Sequence, residues 1–252
     1  MTELTFGIDI GGSGVKGALV DLGAGALHGD KLRMPTPQPS TPEAVAEVVT
    51  EVVQTLDWDG PVGVTFPGVV IDGVVHTAPN VDDSWIGTDA RELFAKHLGK
   101  DTAEVTVLND ADAAGIAEVR FGDRRGRKGC VLVLTFGTGI GSALFVDGRL
   151  VPNTEFGHIE VDGQIGERGA AASVRESAHL SYPEWAGRVS RYLGVLERSI
   201  WPELIILGGG VSQDAEDWVP LLEARTPLSV ASLQNTAGIV GAATAVAEER
   251  GG

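Results

Sequence analysis

The chain has a single cysteine, Cys130, in 252 residues. That excludes an internal disulfide and any zinc cage built from several thiolates, and the apolar neighbours Val131 and Leu132 predict a buried thiol. Positive charge is also scarce, with 19 Lys and Arg against 35 Asp and Glu and a formal net charge of −16. No nucleic-acid partner is expected, because phosphate backbones are held by clustered cations. The local exception is Arg120, Arg124, Arg125, Arg127 and Lys128, which reads either as a solvated basic turn or as a track for a polyanion. No apolar run approaches the ~20 residues needed to cross a bilayer, and the Met-Thr-Glu-Leu start lacks the regions of a secretory signal. A cytoplasmic protein with no membrane partner is expected.

Glycine is the residue in excess, 35 in all and clustered, which points to loops that a ligand approaches closely. The length favours two domains, each with its own core. We place them at residues 1–120 and 121–252, with a hinge near Arg120 to Gly129. The small-residue helix after Asn235 carries Gly238, Gly241 and Ala242, which imply close packing, and it packs back on the first domain.

Along the chain, Leu4 to Ile10 and Val15 to Asp21 read as strands joined at a glycine bend, and Ala26 to Met34 as a third. Gly12-Ser-Gly-Val-Lys-Gly17 fits the G-x-G-x-x-G spacing, but a dinucleotide site needs a helix after the glycines, and none fits before Asp21. Lys16 is also out of Walker order. A hairpin whose bend amides and lysine receive phosphate oxygens fits better. Ser40 or Thr41 caps a helix with Pro42 near its start and a Val45, Val48, Val49, Val52, Val53, Leu56 stripe. A strand from Pro61 to Phe66, a short hairpin around Asp72-Gly73, a polar loop from Asn80 to Trp85 and a helix from Thr88 to Leu98 follow.

Val105 to Leu108 is then a short apolar strand, Asn109 an N-cap, and the Ala-rich run after Asp110 a helix. Asp110 therefore stands at the carboxyl end of a strand and in the first turn of a helix, where open α/β sheets place ligand chemistry. Read alone, Asn109, Asp110 and Asp112 only cap the helix. The whole order, β-β-β-α-β-α-β-α, is that of an α/β domain on a mixed sheet.

The second half repeats the first. Ile10 to Asp21 lies on Phe136 to Asp147 without a gap, an offset of half the chain, so the protein reads as two α/β units facing each other across a cleft. After this second hairpin come Glu155-Phe-Gly-His158, a loop rich in glycine and acids to Glu167, and a helix from Pro183 to Ile200. The strand Leu204 to Leu207 ends at Gly208-Gly-Gly210, which lets a group approach the backbone or makes a tight turn.

Asp9-Ile-Gly-Gly-Ser13, Asn109-Asp110-Ala-Asp112, Gly137-Thr-Gly-Ile-Gly141, Glu155-Phe-Gly-His158 and Gly208-Gly-Gly210 together resemble the ROK family of sugar kinases, within the actin, hexokinase and Hsp70 superfamily. Glu155 to Glu160, Ile200 to Glu203, Trp218 to Leu222 and Leu233 to Gly241 resemble its polyphosphate glucokinase branch. The resemblance implies a duplicated actin-like, ribonuclease H-like α/β fold. It also implies transfer of a phosphoryl group from inorganic polyphosphate, or ATP, to the 6-hydroxyl of glucose. Asp110 would be the general base, and Asn80, Asn109, Glu155, His158 and Glu167 the sugar ligands. Gly11, Gly12, Ser13, Gly14, Lys16, Thr138, Gly139, Gly209 and Gly210 would line the phosphates, Asp9 would hold Mg²⁺ through water, and the family suggests a homodimer. Two departures stand out: the cysteine-rich zinc loop of many ROK kinases is missing, and Ser13 replaces the usual threonine. An ATP-dependent glucokinase or mannokinase, a sugar-responsive regulator and an actin-like ATPase are the rival classes.

Overall fold

The computed structural model describes residues 3–251. They form two compact units, one running to Ala117 and resuming at Thr236, the other spanning Glu118–Asn235. The chain therefore crosses between units at Ala117–Glu118 and again at Asn235–Thr236.

In the first unit β1 (Leu4–Gly11), β2 (Gly14–Asp21) and β3 (Ala26–Met34) form an antiparallel meander. Helix α1 (Pro42–Thr55) leads to β4 (Val62–Phe66), which runs parallel to β1. The hairpin β5 (Val70–Ile71) and β6 (Val74–Val75) and helix α2 (Ala90–Leu98) precede β7 (Val105–Asn109), parallel to β4. The sheet order is β3-β2-β1-β4-β7, and α3 (Asp110–Phe121) follows without a break. Every residue of β4 is buried, as a strand with neighbours on both sides requires, whereas the edge strand β3 carries His28, Asp30, Lys31 and Arg33. Thr41, not Ser40, caps α1, because the Ser40 hydroxyl is taken by the Asp82 N–H and its carbonyl by the Trp85 indole.

In the second unit β8 (Cys130–Phe136), β9 (Ile140–Val146) and β10 (Arg149–Val151) repeat the meander. The hairpin β11 (Glu160–Val161) and β12 (Gln164–Ile165) and helices α4 (Gly166–Ala170), α5 (Ala172–Ser177) and α6 (Tyr182–Ile200) follow. Strand β13 (Leu204–Gly208) returns parallel to β8, then α7 (Ala215–Trp218) leads to β14 (Leu228–Val230), parallel to β13. The order is β10-β9-β8-β13-β14. The rings of Phe136, Trp185 and Trp218 meet at centroid separations of 4.8 to 5.9 Å in its core. The stretch to Glu167, expected as a loop, is a tight hairpin and a short helix; Asp162 and Gly163 both have positive φ, as a two-residue turn requires.

Three other expectations are corrected. The repeat is not gap-free: the first hairpin closes on Gly11 and Gly14 around two residues, the second on Phe136 and Ile140 around three. The hinge stretch Arg120 to Gly129 lies wholly inside the second unit, where Asp123 caps a 3-10 turn over Arg124–Arg127 and Gly126 is buried near Ile206. Cys130 is only half-buried; that burial and the nearby Glu203 raise its thiol pKa.

The last helix, α8 (Ala237–Gly251), belongs to the first unit and packs on β1 and β4. It is buried on all sides from Ile239 to Val246, so it has no amphipathic stripe. A Cβ on Gly7 would collide with the Ile239 carbonyl, one on Gly63 with that of Ala242, and one on Gly241 with that of Ala113. Gly7 and Gly63 thus let sheet and helix meet backbone to backbone, and Gly241 does the same between α8 and α3. Among the described residues no helix is long and apolar enough to cross a membrane.

Candidate active site

In the first unit Asp9 and Lys16 face each other across the β1–β2 hairpin, with Lys16 Nζ 2.9 Å from Asp9 Oδ2. Asp9 Oδ1 accepts from the Thr65 hydroxyl at 3.1 Å, and that hydroxyl accepts from the Ile10 N–H at 3.2 Å. The two groups expected to serve metal and phosphate separately are paired with each other. Any phosphate reaching Lys16 must share its charge with Asp9. At the bend, Arg33 Nη2 donates to the Ser13 carbonyl at 3.0 Å and the Thr36 hydroxyl to that of Gly11 at 2.5 Å. Asn80 also comes here, since a Cβ on Gly12 would lie 3.5 Å from its carbonyl. Arg33 and Thr36 are absent from the sequence reading; the signal for Arg33 was its place opposite Lys16 on β3, which only the strand register reveals.

At the end of β7 the buried Asn109 caps α3 through Oδ1, which accepts from the N–H groups of Ala111 at 2.8 Å and Asp112 at 3.0 Å. Its Nδ2 donates to the Gly68 carbonyl at 3.1 Å. Asp110 beside it is exposed, and its Oδ1 accepts from the Ala111 N–H at 2.8 Å. Buried Asn109 thus fixes the turn from which Asp110 is presented.

In the second unit Glu155 heads a 3-10 turn over Phe156–His158, tighter than the non-helical stretch expected around Gly157. Ser142 on β9 holds this segment from below: its hydroxyl donates to the Thr154 carbonyl at 2.6 Å and accepts from the Phe156 N–H at 2.9 Å. His158 Nε2 stands 3.6 Å from Glu167 Oε1, and Glu167 Oε2 accepts from the Ile140 N–H at 3.2 Å. Burial pushes the Glu155 carboxyl pKa up, His158 draws it down and Glu167 adds to the rise. A set of close acceptors with one imidazole suits hydroxyl recognition.

The glycine elements of this unit also meet. Gly209 has φ +86°, and a Cβ there would collide with the backbone of Phe136, so the Gly208–Gly210 turn passes directly over the end of β8 at the Gly137-Thr138-Gly139 bend. Ser173 fastens that bend, its N–H to the Gly137 carbonyl at 3.1 Å and its hydroxyl to that of Thr138 at 2.6 Å. Among the described residues no three or more His, Cys, Asp or Glu side chains group so as to hold a metal ion.

Residues 5–174 match the family model described as the ROK family. The chain belongs to that family. This ROK chain is 58% identical over 240 residues to the polyphosphate glucokinase of Mycobacterium tuberculosis (strain CDC 1551 / Oshkosh), covering 95% of this chain and 90% of that one. It superposes on the inorganic polyphosphate/ATP-glucomannokinase of Arthrobacter sp. strain KM with a TM-score of 0.91 at 51% identity, covering 98% and 99% of the two chains. The ROK glucokinase of Streptomyces griseus, solved with glucose and AMPPNP, matches with a TM-score of 0.82 at 25% identity over 98% and 100%. The chain shares the mixed α/β, actin-like fold of those kinases, with one five-stranded sheet in each unit.

Proposed function

We propose that the protein is a glucokinase that transfers a phosphoryl group from inorganic polyphosphate to the 6-hydroxyl of glucose, with ATP as a poorer donor. The observation that carries the chemistry is Asp110, an exposed carboxylate held at the end of β7 by the Asn109 cap. It accepts the proton of the attacking hydroxyl. A loose phosphoryl-transfer transition state needs little proton removal before bond formation, so the placement of the carboxylate matters more than its strength as a base. Asn80, Asn109, Glu155, His158 and Glu167 hold the sugar. Asn109 does so with what its cap leaves over, since Nδ2 carries a second hydrogen. Gly11, Gly12, Ser13, Gly14, Lys16, Thr138, Gly139, Gly209 and Gly210 supply amides and one cation to the phosphates.

Phosphoryl transfer of this kind typically uses a divalent cation, and we assign it as Mg²⁺ at Asp9. The donor set fits, because Mg²⁺ keeps most of its waters and takes one or two carboxylates together with substrate phosphates. Gly238 leaves space beside the carboxylate: a Cβ there would stand 3.1 Å from Asp9 Oδ1. When bound, the ion neutralises charge on the transferring group. We further place the protein in the cytoplasm as a homodimer.

The donor preference rests on the likeness to polyphosphate-using relatives and on the basic stretch after α3. Not all of its cations are equal. Arg125 grips Asp123 through Nε at 2.9 Å and Nη2 at 2.6 Å, and Arg127 Nη2 donates to the Arg120 carbonyl at 2.5 Å. Arg124 and Lys128 are exposed and carry the greater share of a polyanion track. The second reading, an ATP-dependent kinase of glucose or mannose, is favoured by the double donor in the name of the Arthrobacter relative. A coupled assay for glucose 6-phosphate decides between them. Turnover faster with polyphosphate than with ATP supports the proposal, and turnover with ATP alone refutes the donor. Neutralising Arg124, Arg125, Arg127 and Lys128 together raises KM for long polyphosphate and flattens its salt dependence, with glucose affinity unchanged.

A further inference from the structure

Within the second unit a cavity of about 320 Å³ lies between α4, the β11–β12 hairpin and α6. Its lining includes Asp162, Gln164, Gly166, Arg188, Arg191 and Tyr192. Ligand sites run from roughly 300 Å³ upward, so the space suits a small molecule. None of these residues belongs to the sugar or phosphate sets proposed above.

Tyr192 supplies the first sign of a ligand. It is fully buried, yet its hydroxyl has no hydrogen-bond partner among the described residues. A buried hydroxyl left unmade is costly and is ordinarily matched by protein, water or ligand. Burial, with Glu167 nearby, holds its proton on, so it can act as a donor. The second sign is the balance of donors over acceptors. Two guanidinium groups and the Gln164 amide line the same space, and its one carboxylate, Asp162, is already taken by Arg191 Nε at 2.8 Å. On a chain with a formal net charge of −16, such a collection of donors is a local reversal.

We propose that this cavity is a second, non-catalytic site for a phosphate group, either inorganic phosphate or the phosphate of a sugar monoester, and that its occupant alters glucose binding through α4. Arg188 and the remaining fork of Arg191 grip the anion, and the Tyr192 hydroxyl donates to it. The link is short. The Tyr192 ring lies against Gly166, where a Cβ would come within 2.9 Å of Cδ2, and the next residue, Glu167, faces His158 and the Ile140 amide. A ligand that shifts α4 therefore shifts Glu167. This coupling, unlike the site itself, rests on the sugar role proposed for Glu167.

Calorimetry on the full chain, without glucose, donor or metal, tests the site with inorganic phosphate and separately with glucose 6-phosphate. Saturable binding is expected in the parent and in Lys16→Ala, which leaves the cavity intact. It should weaken at least ~tenfold in Arg188→Gln and ~threefold in Tyr192→Phe, whose Tm should not fall. Whichever probe binds at least ~tenfold more tightly identifies the source of the phosphate. Binding that disappears in Lys16→Ala, or is unchanged in Arg188→Gln, overturns the site. Saturating phosphate should shift the glucose Kd by ~threefold or more in the parent and not in Arg188→Gln; a Kd unmoved by bound phosphate overturns the coupling. A chain that binds phosphate here but no glucose at all refutes the proposed kinase reading and leaves the site standing.

Discussion

The two units lay five strands in the same order and direction, a meander followed by two parallel strands, yet their opening hairpins hold different things. In the first, the inner residue of the second strand is Lys16, which meets Asp9 across the pair. The position half a chain later is Ser142, which is neutral, buried and turned to a different task, fastening the segment that carries Glu155. The strand ends differ as well. Strand β7 delivers Asn109 and Asp110 to a helix start, while β14 ends at Val230 with Ala231 after it, and no acid stands there. The sheet is thus a shared frame. Charge collects in one copy at the hairpin and strand end, and in the other Glu155, His158 and Glu167 gather on the crossover between β10 and β13.

That division can be broken most sharply at Asp110. Asp110→Asn is expected to lower turnover by ~10²-fold or more while glucose still binds, the scale for losing a positioned base. Near-normal turnover by the folded variant would mean that the strand end only caps its helix.

The frame itself is tested by Gly241→Val. It should destabilise the fold by about 1–3 kcal/mol or more, because the Ala113 carbonyl occupies the space the new side chain needs. Urea denaturation measures this, and an unchanged midpoint would contradict the backbone-to-backbone packing of α8.

Glu155→Ala and His158→Ala should each raise KM for glucose by ~tenfold, with no metal lost from the purified protein. Stoichiometric zinc that vanishes in either variant would reassign the pair. Ser142→Ala sharpens the comparison further: it should raise KM for glucose several-fold with kcat little changed, since it loosens the Glu155 segment without touching Asp110. An equal fall in kcat alone would place Ser142 with the chemistry.

The smallest effect concerns Asp123. The Arg125 side chain and amide hold its carboxyl at about 2, against an ordinary 3.8. A depressed folded-state pKa contributes stability that is present above 3.8 and lost as pH falls through about 2. Asp123→Asn should therefore flatten the rise of Tm with pH in that window and lower Tm modestly at neutral pH, where the contribution of the charged pair is fully present. A slope equal to the parent's would show that the Arg125 pair is not what stabilises the turn.

How much of this could be read beforehand follows from the range of the interactions. The β1–β2 hairpin, the capped valine stripe of α1 and the Val105 to Asp110 strand end are set by neighbours a few residues apart, so period and capping reveal them. Residues 151–180 fold into elements of two to six residues held by tertiary bonds such as Ser142 to Thr154 and Ser173 to Thr138, and they leave no period to read. The Asp9–Lys16 pair needs the strand register, and Arg33 needs two registers in succession. Tyr192 looks like one more apolar position in the stripe of α6; that its hydroxyl lacks a partner among the described residues is visible only once α4 lies beside it.

The return of α8 to the first unit also fixes an order of events during synthesis. Strands β1 to β7 leave the ribosome first, but the β1–β4 face they share has no cover until residues 237–251 have emerged. Everything within Glu118–Asn235 is complete before then. The half that is translated second can therefore close its core first. The older half waits with an apolar sheet face open to solvent or to a chaperone until the last helix arrives.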